Sequence, residues 1–347
     1  MTLPATRDHD PALEVLFHAI DTGALPWPRT GGALFLRARD GWPLHAAGRT
    51  GLVCEQTFKP AFDALQRSQL MVQADPVTDR FPLVLVLPPR QRDEARALFA
   101  RAVSQCTDDG VVLACMQNDE GAKTGQSDLA KLAGPVSVLS KQHCRVFWTT
   151  ALAIDETLRA EWRDLDAPRA IVDGRYTSRP GLFAWDRIDP ASALLVKHLP
   201  ADLAGRGADL GAGWGYLATE VFARAPKVTA LDLYEAEARA LDLARTNLAG
   251  EPRATFHWSD VGEGLPRRNY DFIVSNPPFH AHGRADRPDI GRRFITAAAD
   301  ALRPGGRLFL VANRHLPYES VLDARFGTTR TLAQAGGFKV VEAVRGK

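Results

Sequence analysis

The residues Ser275-Asn276-Pro277-Pro278-Phe279-His280 close the short apolar run Phe272-Ile273-Val274. Such a run, bounded by turn signals, suits a strand buried inside a parallel sheet. Two successive prolines cannot extend a ladder, so the chain must leave the sheet at Pro277. In open α/β sheets ligands bind beyond the carboxyl ends of the strands, which puts Asn276 at the mouth of that crevice. The Asn276 side-chain oxygen and the Pro277 carbonyl offer two acceptors, and Phe279 offers a flat face for stacking. Acceptors for an N–H pair beside a stacking surface point to chemistry on the exocyclic amine of a planar group. Pro278 and His280 flank the same slot. Arg284, Arg287, Arg292 and Arg293 follow it closely enough to grip phosphates, which position RNA without reading its sequence. The plainer alternative is a Pro-Pro turn followed by a solvated arginine face that Asp286 and Asp289 partly neutralise.

Other elements must hold that strand end in place and bring it a reagent. Ala208-Asp209-Leu210-Gly211-Ala212-Gly213-Trp214-Gly215 runs from a short strand into the helical stretch that starts at Tyr216. Its glycines allow a tight turn and a close approach of a cofactor to the backbone. Val228-Thr229-Ala230-Leu231-Asp232 reads as the next strand, ending in a carboxylate that would accept from ribose hydroxyls. Phe256-His257-Trp258-Ser259-Asp260 reads as a third, with Asp260 at its end as an acceptor for an adenine amino group. Asp189 or Ser192 caps the helix that precedes the glycine turn. The last two strands, around Ala335-Gly336-Gly337, form an antiparallel hairpin.

The same plan occurs earlier in the chain. Leu83-Val84-Leu85-Val86-Leu87-Pro88-Pro89-Arg90 leads to a helical stretch, then Asp109-Gly110, the strand Val111–Cys115 and two further strands. The halves lie about 190 residues apart and read as an internal duplication. Where the second half has Asn276 and Phe279 the first has Leu87 and Arg90, and no Gly-x-Gly-x-Gly turn is visible there. Leucine cannot accept a hydrogen bond, so the first copy cannot catalyse. The join lies between Asp166 and Pro180, where Pro168, Gly174 and Pro180 interrupt the pattern.

With 347 residues the chain is long enough for two domains. A formal charge of +2 announces no polyanion partner, so any nucleic-acid surface must be a local patch. Cys54, Cys106, Cys115 and Cys144 are scattered without a Cys-x-x-Cys pair, which argues against a metal site and fits a reducing cytoplasm. The polar start carries no secretion signal, and no apolar run is long enough to span a membrane. A cytoplasmic, monomeric protein without metal is expected.

The order of glycine turn, strand-end acid and Asn-Pro-Pro-Phe resembles the class I S-adenosylmethionine (SAM)-dependent methyltransferases that act on amino or amide nitrogens. Over nearly its whole length the chain is similar to the bacterial ribosomal RNA guanine-N2 methyltransferases. Pro180-Gly181-Leu182-Phe183, Asp209 to Gly213, Ser275 to His280 and Val311-Ala312-Asn313-Arg314-His315-Leu316-Pro317-Tyr318 carry the likeness.

That resemblance implies an α/β chain of two tandem Rossmann-like methyltransferase domains. Residues 1–170 form a degenerate one that positions RNA or a partner. Residues 171–347 form the catalytic one, a mostly parallel sheet closed by an antiparallel hairpin. It implies SAM held by Asp209, Gly211, Ala212, Gly213, Asp232, Asp260 and Asn276. Asn276, Pro277 and Phe279 then form the catalytic group, and Pro278, Phe279, His280, Arg284, Arg292 and Arg293 meet the substrate. The partner implied is ribosomal RNA or a ribosomal subunit, with small-subunit 16S rRNA favoured by Leu316-Pro317-Tyr318 and Val321-Leu322-Asp323. Asn313 to Leu316 also suits the large-subunit members. Two other readings compete: a protein glutamine-amide methyltransferase, and an RNA-binding assembly protein whose methylation is incidental. The chain departs from the family at Pro190-Ala191, where a glycine usually precedes the equivalent of Ser192.

Overall fold

Two runs of apolar residues, Val111 to Met116 and Leu308 to Ala312, become central strands of two separate sheets. The computed structural model describes residues 10–46, 48–278 and 288–347. The chain divides into two compact units, Met1–Ala167 and Pro168–Lys347.

In the first unit the strands are β1 (Ala33–Leu36), β2 (Leu52–Glu55), β3 (Met71–Gln73), β4 (Phe81–Val86), β5 (Cys106–Gln117), β6 (Val136–Lys141) and β7 (Cys144–Thr149). They form one seven-stranded sheet in the order β3-β2-β1-β4-β5-β7-β6. A small ribbon, β8 (Arg169–Ile171) with β9 (Tyr176–Ser178), opens the second unit. The main sheet there is built from β10 (Ala204–Leu210), β11 (Lys227–Glu235), β12 (Ala254–Trp258), β13 (Tyr270–Ser275), β14 (Leu302–Asn313), β15 (Thr328–Ala335) and β16 (Phe338–Val344). Its order, β12-β11-β10-β13-β14-β16-β15, repeats the first strand for strand. In both sheets the pairs are parallel until the last two, which are antiparallel. Even an irregularity recurs: the ladder slips between Phe81 and Leu83 in one sheet and between Tyr270 and Phe272 in the other.

The strand order reverses direction at β10 and β13, the switch point at which open α/β sheets bind ligands. These two strands end side by side, Leu210 opposite Ser275. The Ser275 hydroxyl donates to the Leu210 carbonyl at 2.8 Å, pinning the two ends together. The turn after Leu210 and the loop after Ser275 therefore start as neighbours. Helices cover both faces. The Pro190–His198 and Tyr216–Arg224 helices bury Leu195, Leu217 and Val221 with Leu231 and Phe309 on one face. The Pro288–Ala301 helix buries Phe294 and Ile295 with Ile273 and Leu308 on the other.

Among the described residues no helix is long and apolar enough to cross a membrane. No group of three or more His, Cys, Asp or Glu among them is placed to hold a metal ion. All four cysteines are free and buried.

Candidate active site

The glycine turn forms as its spacing demands. Gly211 has φ 75° and Gly213 φ 55°, the left-handed region that residues with a Cβ rarely adopt. A Cβ on Gly211 would come within 3.3 Å of the Phe294 ring, whereas at Gly213 it would enter open space. The turn is anchored on the neighbouring strand, since Gly211 N and Ala212 N both donate to the Tyr234 carbonyl, at 2.9 and 3.1 Å. Just before it, Asp209 is completely buried, and neither carboxylate oxygen has a hydrogen-bond partner among the described residues. Burial, and then the charge of Glu235, push its pKa up to about 8. The Ala218 backbone N–H opposes this rise but falls short of hydrogen-bond geometry. A buried carboxyl without a partner costs stability.

Asn276 stands one residue beyond β13. Its Nδ2 donates to Asp189 Oδ2 at 3.0 Å and to Ser192 Oγ at 2.8 Å. A carboxylate can only accept, so the amide nitrogen must face Asp189 and the oxygen must face away. That oxygen, Oδ1, is buried and has no hydrogen-bond partner among the described residues. Asp189 is also the helix cap expected of Asp189 or Ser192, accepting from Ser192 N at 2.8 Å. A pocket of about 420 Å³, part of it open to solvent, lies between these groups and the glycine turn. Asp189, Ser192, Gly211, Ala212, Gly213 and Asn276 line it, and Phe183, 64% exposed, sits at its edge.

Asp232 requires a correction. Its strand does not end there but continues through Leu233 and Tyr234 to Glu235. Asp232 is buried within the sheet, bonded by Arg206 at 2.9 and 3.3 Å, His257 at 3.0 Å and Tyr270 at 2.9 Å. Burial alone would raise its pKa. The hydrogen bonds from His257, Arg206 and Tyr270 outweigh that and hold the carboxyl well below the usual carboxylate range. Asp232 is thus held by donors inside the sheet and is not among the described residues that line the pocket.

The acid at the strand end is Glu235. It accepts from Gly213 N and Glu237 N, both at 2.8 Å, and so ties the glycine turn to the loop after β11. Burial raises its pKa, and these backbone donors counter the rise. The signal was present in the sequence: Leu233 and Tyr234 prolong the apolar run past the first acid. Asp260 lies two residues beyond β12, where its Oδ1 caps a short 3₁₀ turn through Gly262 N at 2.8 Å.

Pro277 is buried and Pro278 exposed at the exit from β13. Arg292 and Arg293 are exposed on the Pro288–Ala301 helix, and the Arg293 guanidinium lies against Gly262, beside the Asp260 turn. Phe279, His280, Arg284 and Arg287 lie outside the described residues.

The methyltransferase small domain family matches residues 173–342. The ribosomal RNA small subunit methyltransferase C of Pectobacterium atrosepticum is 30% identical over 298 residues, covering 84% of this chain and 82% of that protein. The protein of the same name from Salmonella newport is 30% identical over 285 residues, covering 80% of each. Among solved structures, a T. thermophilus 16S rRNA N2 G1207 methyltransferase in complex with AdoMet and guanosine shares the fold. Its TM-score is 0.80 at 24% identity, over 99% of this chain and 94% of that one. The chain belongs to the family of the ribosomal RNA small subunit methyltransferases C.

Proposed function

We propose that the second unit transfers a methyl group from SAM to the exocyclic N2 amine of a guanine in small-subunit 16S ribosomal RNA. The observation that carries this reading is the Asn276 oxygen, buried and without a hydrogen-bond partner among the described residues, while its amide nitrogen is tied down twice. The names of the relatives, and the AdoMet and guanosine bound in the T. thermophilus structure, support it.

The residues present fit SAM. Asp209, whose oxygens have no partner among the described residues, would meet its ammonium, the turn at Gly211, Ala212 and Gly213 lines the room beside the backbone, Glu235 would accept from its ribose, and Asp260 would accept from its adenine amine. When bound, the cofactor supplies an electrophilic methyl on sulfur. The guanine amine is a poor nucleophile because its lone pair is delocalised into the ring. Asn276 Oδ1 and the Pro277 carbonyl each accept one of its hydrogens and so hold the lone pair in one direction. Positioning of this kind supplies up to about 7–11 kcal/mol of a barrier. The methylated amine is cationic and loses its proton readily, so no strong base is needed. Phe279 stacks on the base, with Pro278 and His280 beside it. Arg284, Arg292 and Arg293 hold phosphates. The first unit takes no SAM and serves to position RNA. Reaching an amine in folded RNA requires extruding the base, at a cost of a few kcal/mol.

The test is single-turnover methylation of unmodified 16S rRNA or small subunits at saturating SAM. Asn276→Ala lowers the rate by about 10²-fold or more, the scale of one lost preorganised contact, and leaves SAM affinity nearly intact. A variant as fast as the parent would remove the amine-positioning mechanism.

A further inference from the structure

We infer that Asp189 and Ser192 are positioning residues for the methyl transfer: they lock the Asn276 amide in the one orientation that presents its oxygen to the substrate. The inference rests on the function proposed above and goes beyond it, because neither residue needs to touch the target base.

An asparagine side chain can turn over about its last torsion and exchange oxygen for nitrogen at little cost unless its neighbours forbid it. Here both amide hydrogens are committed, one to Asp189 Oδ2 at 3.0 Å and one to Ser192 Oγ at 2.8 Å. Turning the amide over would break both bonds and set its oxygen against a carboxylate that cannot donate. The acceptors come from the first turn of a helix, itself fixed when Asp189 Oδ2 accepts Ser192 N at 2.8 Å. A single carboxylate oxygen thus joins the helix cap to the strand-end amide across 87 residues of sequence.

The first unit shows what happens when the amide is absent. It has the same cap, Asp10-Pro11-Ala12 in place of Asp189-Pro190-Ala191, and Asp10 accepts from Leu13 N at 3.1 Å. Leu87 stands where Asn276 does, one residue past the matching strand, and Leu13 stands where Ser192 does. Both leucines are buried. The capping aspartate is common to both copies, because a helix start needs it in either. The serine hydroxyl and the asparagine amide occur together or not at all. That is the pattern expected if the hydroxyl acts through the amide.

The lining of the same pocket by Asp189 and Ser192 raises a competing possibility, direct contact with the cofactor. A double-mutant cycle separates the two. Ser192→Ala keeps the cap, which uses a backbone N–H, and should lower the single-turnover rate at saturating SAM by about tenfold, a loosened rather than a lost contact. In an Asn276→Ala background the same change should alter the rate by less than about twofold, since the group it acts through is gone. Asp189→Asn retains a capping oxygen and should stay within about threefold of the parent, whereas Asp189→Ala should fall at least as far as Ser192→Ala. In the parent, the Asn276 side-chain NH₂ protons should exchange slowly with solvent in an NMR experiment, and Ser192→Ala should speed their exchange.

Equal losses in both backgrounds would overturn the inference in favour of cofactor contact. A Ser192→Ala enzyme as fast as the parent would overturn it outright while leaving the role of Asn276 intact. A parent that methylates no guanine N2 would remove the functional reading, and this inference with it.

Discussion

Position 37 and position 211 each follow the first central strand of their sheet, and both have a left-handed backbone, with φ 55° and 75°. One is arginine and the other glycine. Around them the main-chain bonds are alike, Ala38 N donating to the Glu55 carbonyl and Ala212 N to the Tyr234 carbonyl, each at 3.1 Å. The side chains are not alike. Arg37 pairs with Glu94 at 2.8 Å and Arg39, in the place of Gly213, pairs with Asp10 at 3.0 Å. Gln56 stands where Glu235 does and turns its amide nitrogen onto the Ala38 carbonyl. Its oxygen accepts from Phe58 N at 2.8 Å, as Glu235 accepts from Glu237 N. Backbone pairing thus preserves the turn in both units, while one unit has paired arginines and an amide where the other has glycines and an acid. Fold and site are separable, and only side chains distinguish them.

The comparison can be broken at several points. The largest effect is expected at Asp232. If it is a structural anion, Asp232→Ala leaves Arg206 and His257 facing a buried gap and costs about 3–5 kcal/mol in a urea melt. A variant of parental stability that binds SAM weakly would return Asp232 to the cofactor.

A smaller effect is expected at Glu235. Glu235→Gln copies the first unit at this point, loses the charge and keeps one acceptor oxygen where the backbone N–H groups of Gly213 and Glu237 each use one. SAM affinity should drop about tenfold, and the melt should fall by about 1–3 kcal/mol for the backbone donor left facing an NH₂. Unchanged affinity in calorimetry would leave the strand-end acid without a cofactor role.

The smallest effect belongs to Arg37→Gly. Removing the Cβ relieves a left-handed backbone by about 1 kcal/mol, and losing the Glu94 partner costs about 1.5–3 kcal/mol. A net destabilisation of about 1 kcal/mol is expected in the melt, with no gain of SAM binding. A gain would mean that one side chain alone separates the two units.

Much of this was legible in the chain. Asn276-Pro277-Pro278 marks the strand exit because proline cannot pair, and the glycines after Leu210 mark the turn because only they adopt it freely. The helical spacing of Leu13, Leu16, Phe17 and Ile20 and the apolar run Ala33-Leu34-Phe35-Leu36 mark the helix from Pro11 and the strand Ala33–Leu36. Four features were not legible. Asp232 reads as a strand end because an acid inside an apolar run looks like a boundary, and only the neighbours Arg206, His257 and Tyr270 make its burial tolerable. The duplication was visible only from Phe81 onward because β2 and β3 have just four and three residues. The degenerate turn at Arg37 was hidden because a sequence search for glycine cannot find an arginine held by the same main-chain bonds. Asp189 was readable as a cap, but its bond to Asn276 spans 87 residues and has no local signal.

The central claim is that one unit of the two binds SAM. Calorimetric titration of SAM into the full chain tests it, in the parent and in Gly213→Arg, which gives the second unit the arginine found at position 39. One site per chain is predicted in the parent and none in the variant, whose side chain would occupy the space that Gly213 leaves open. Two sites in the parent, or parental affinity in Gly213→Arg, would contradict the account.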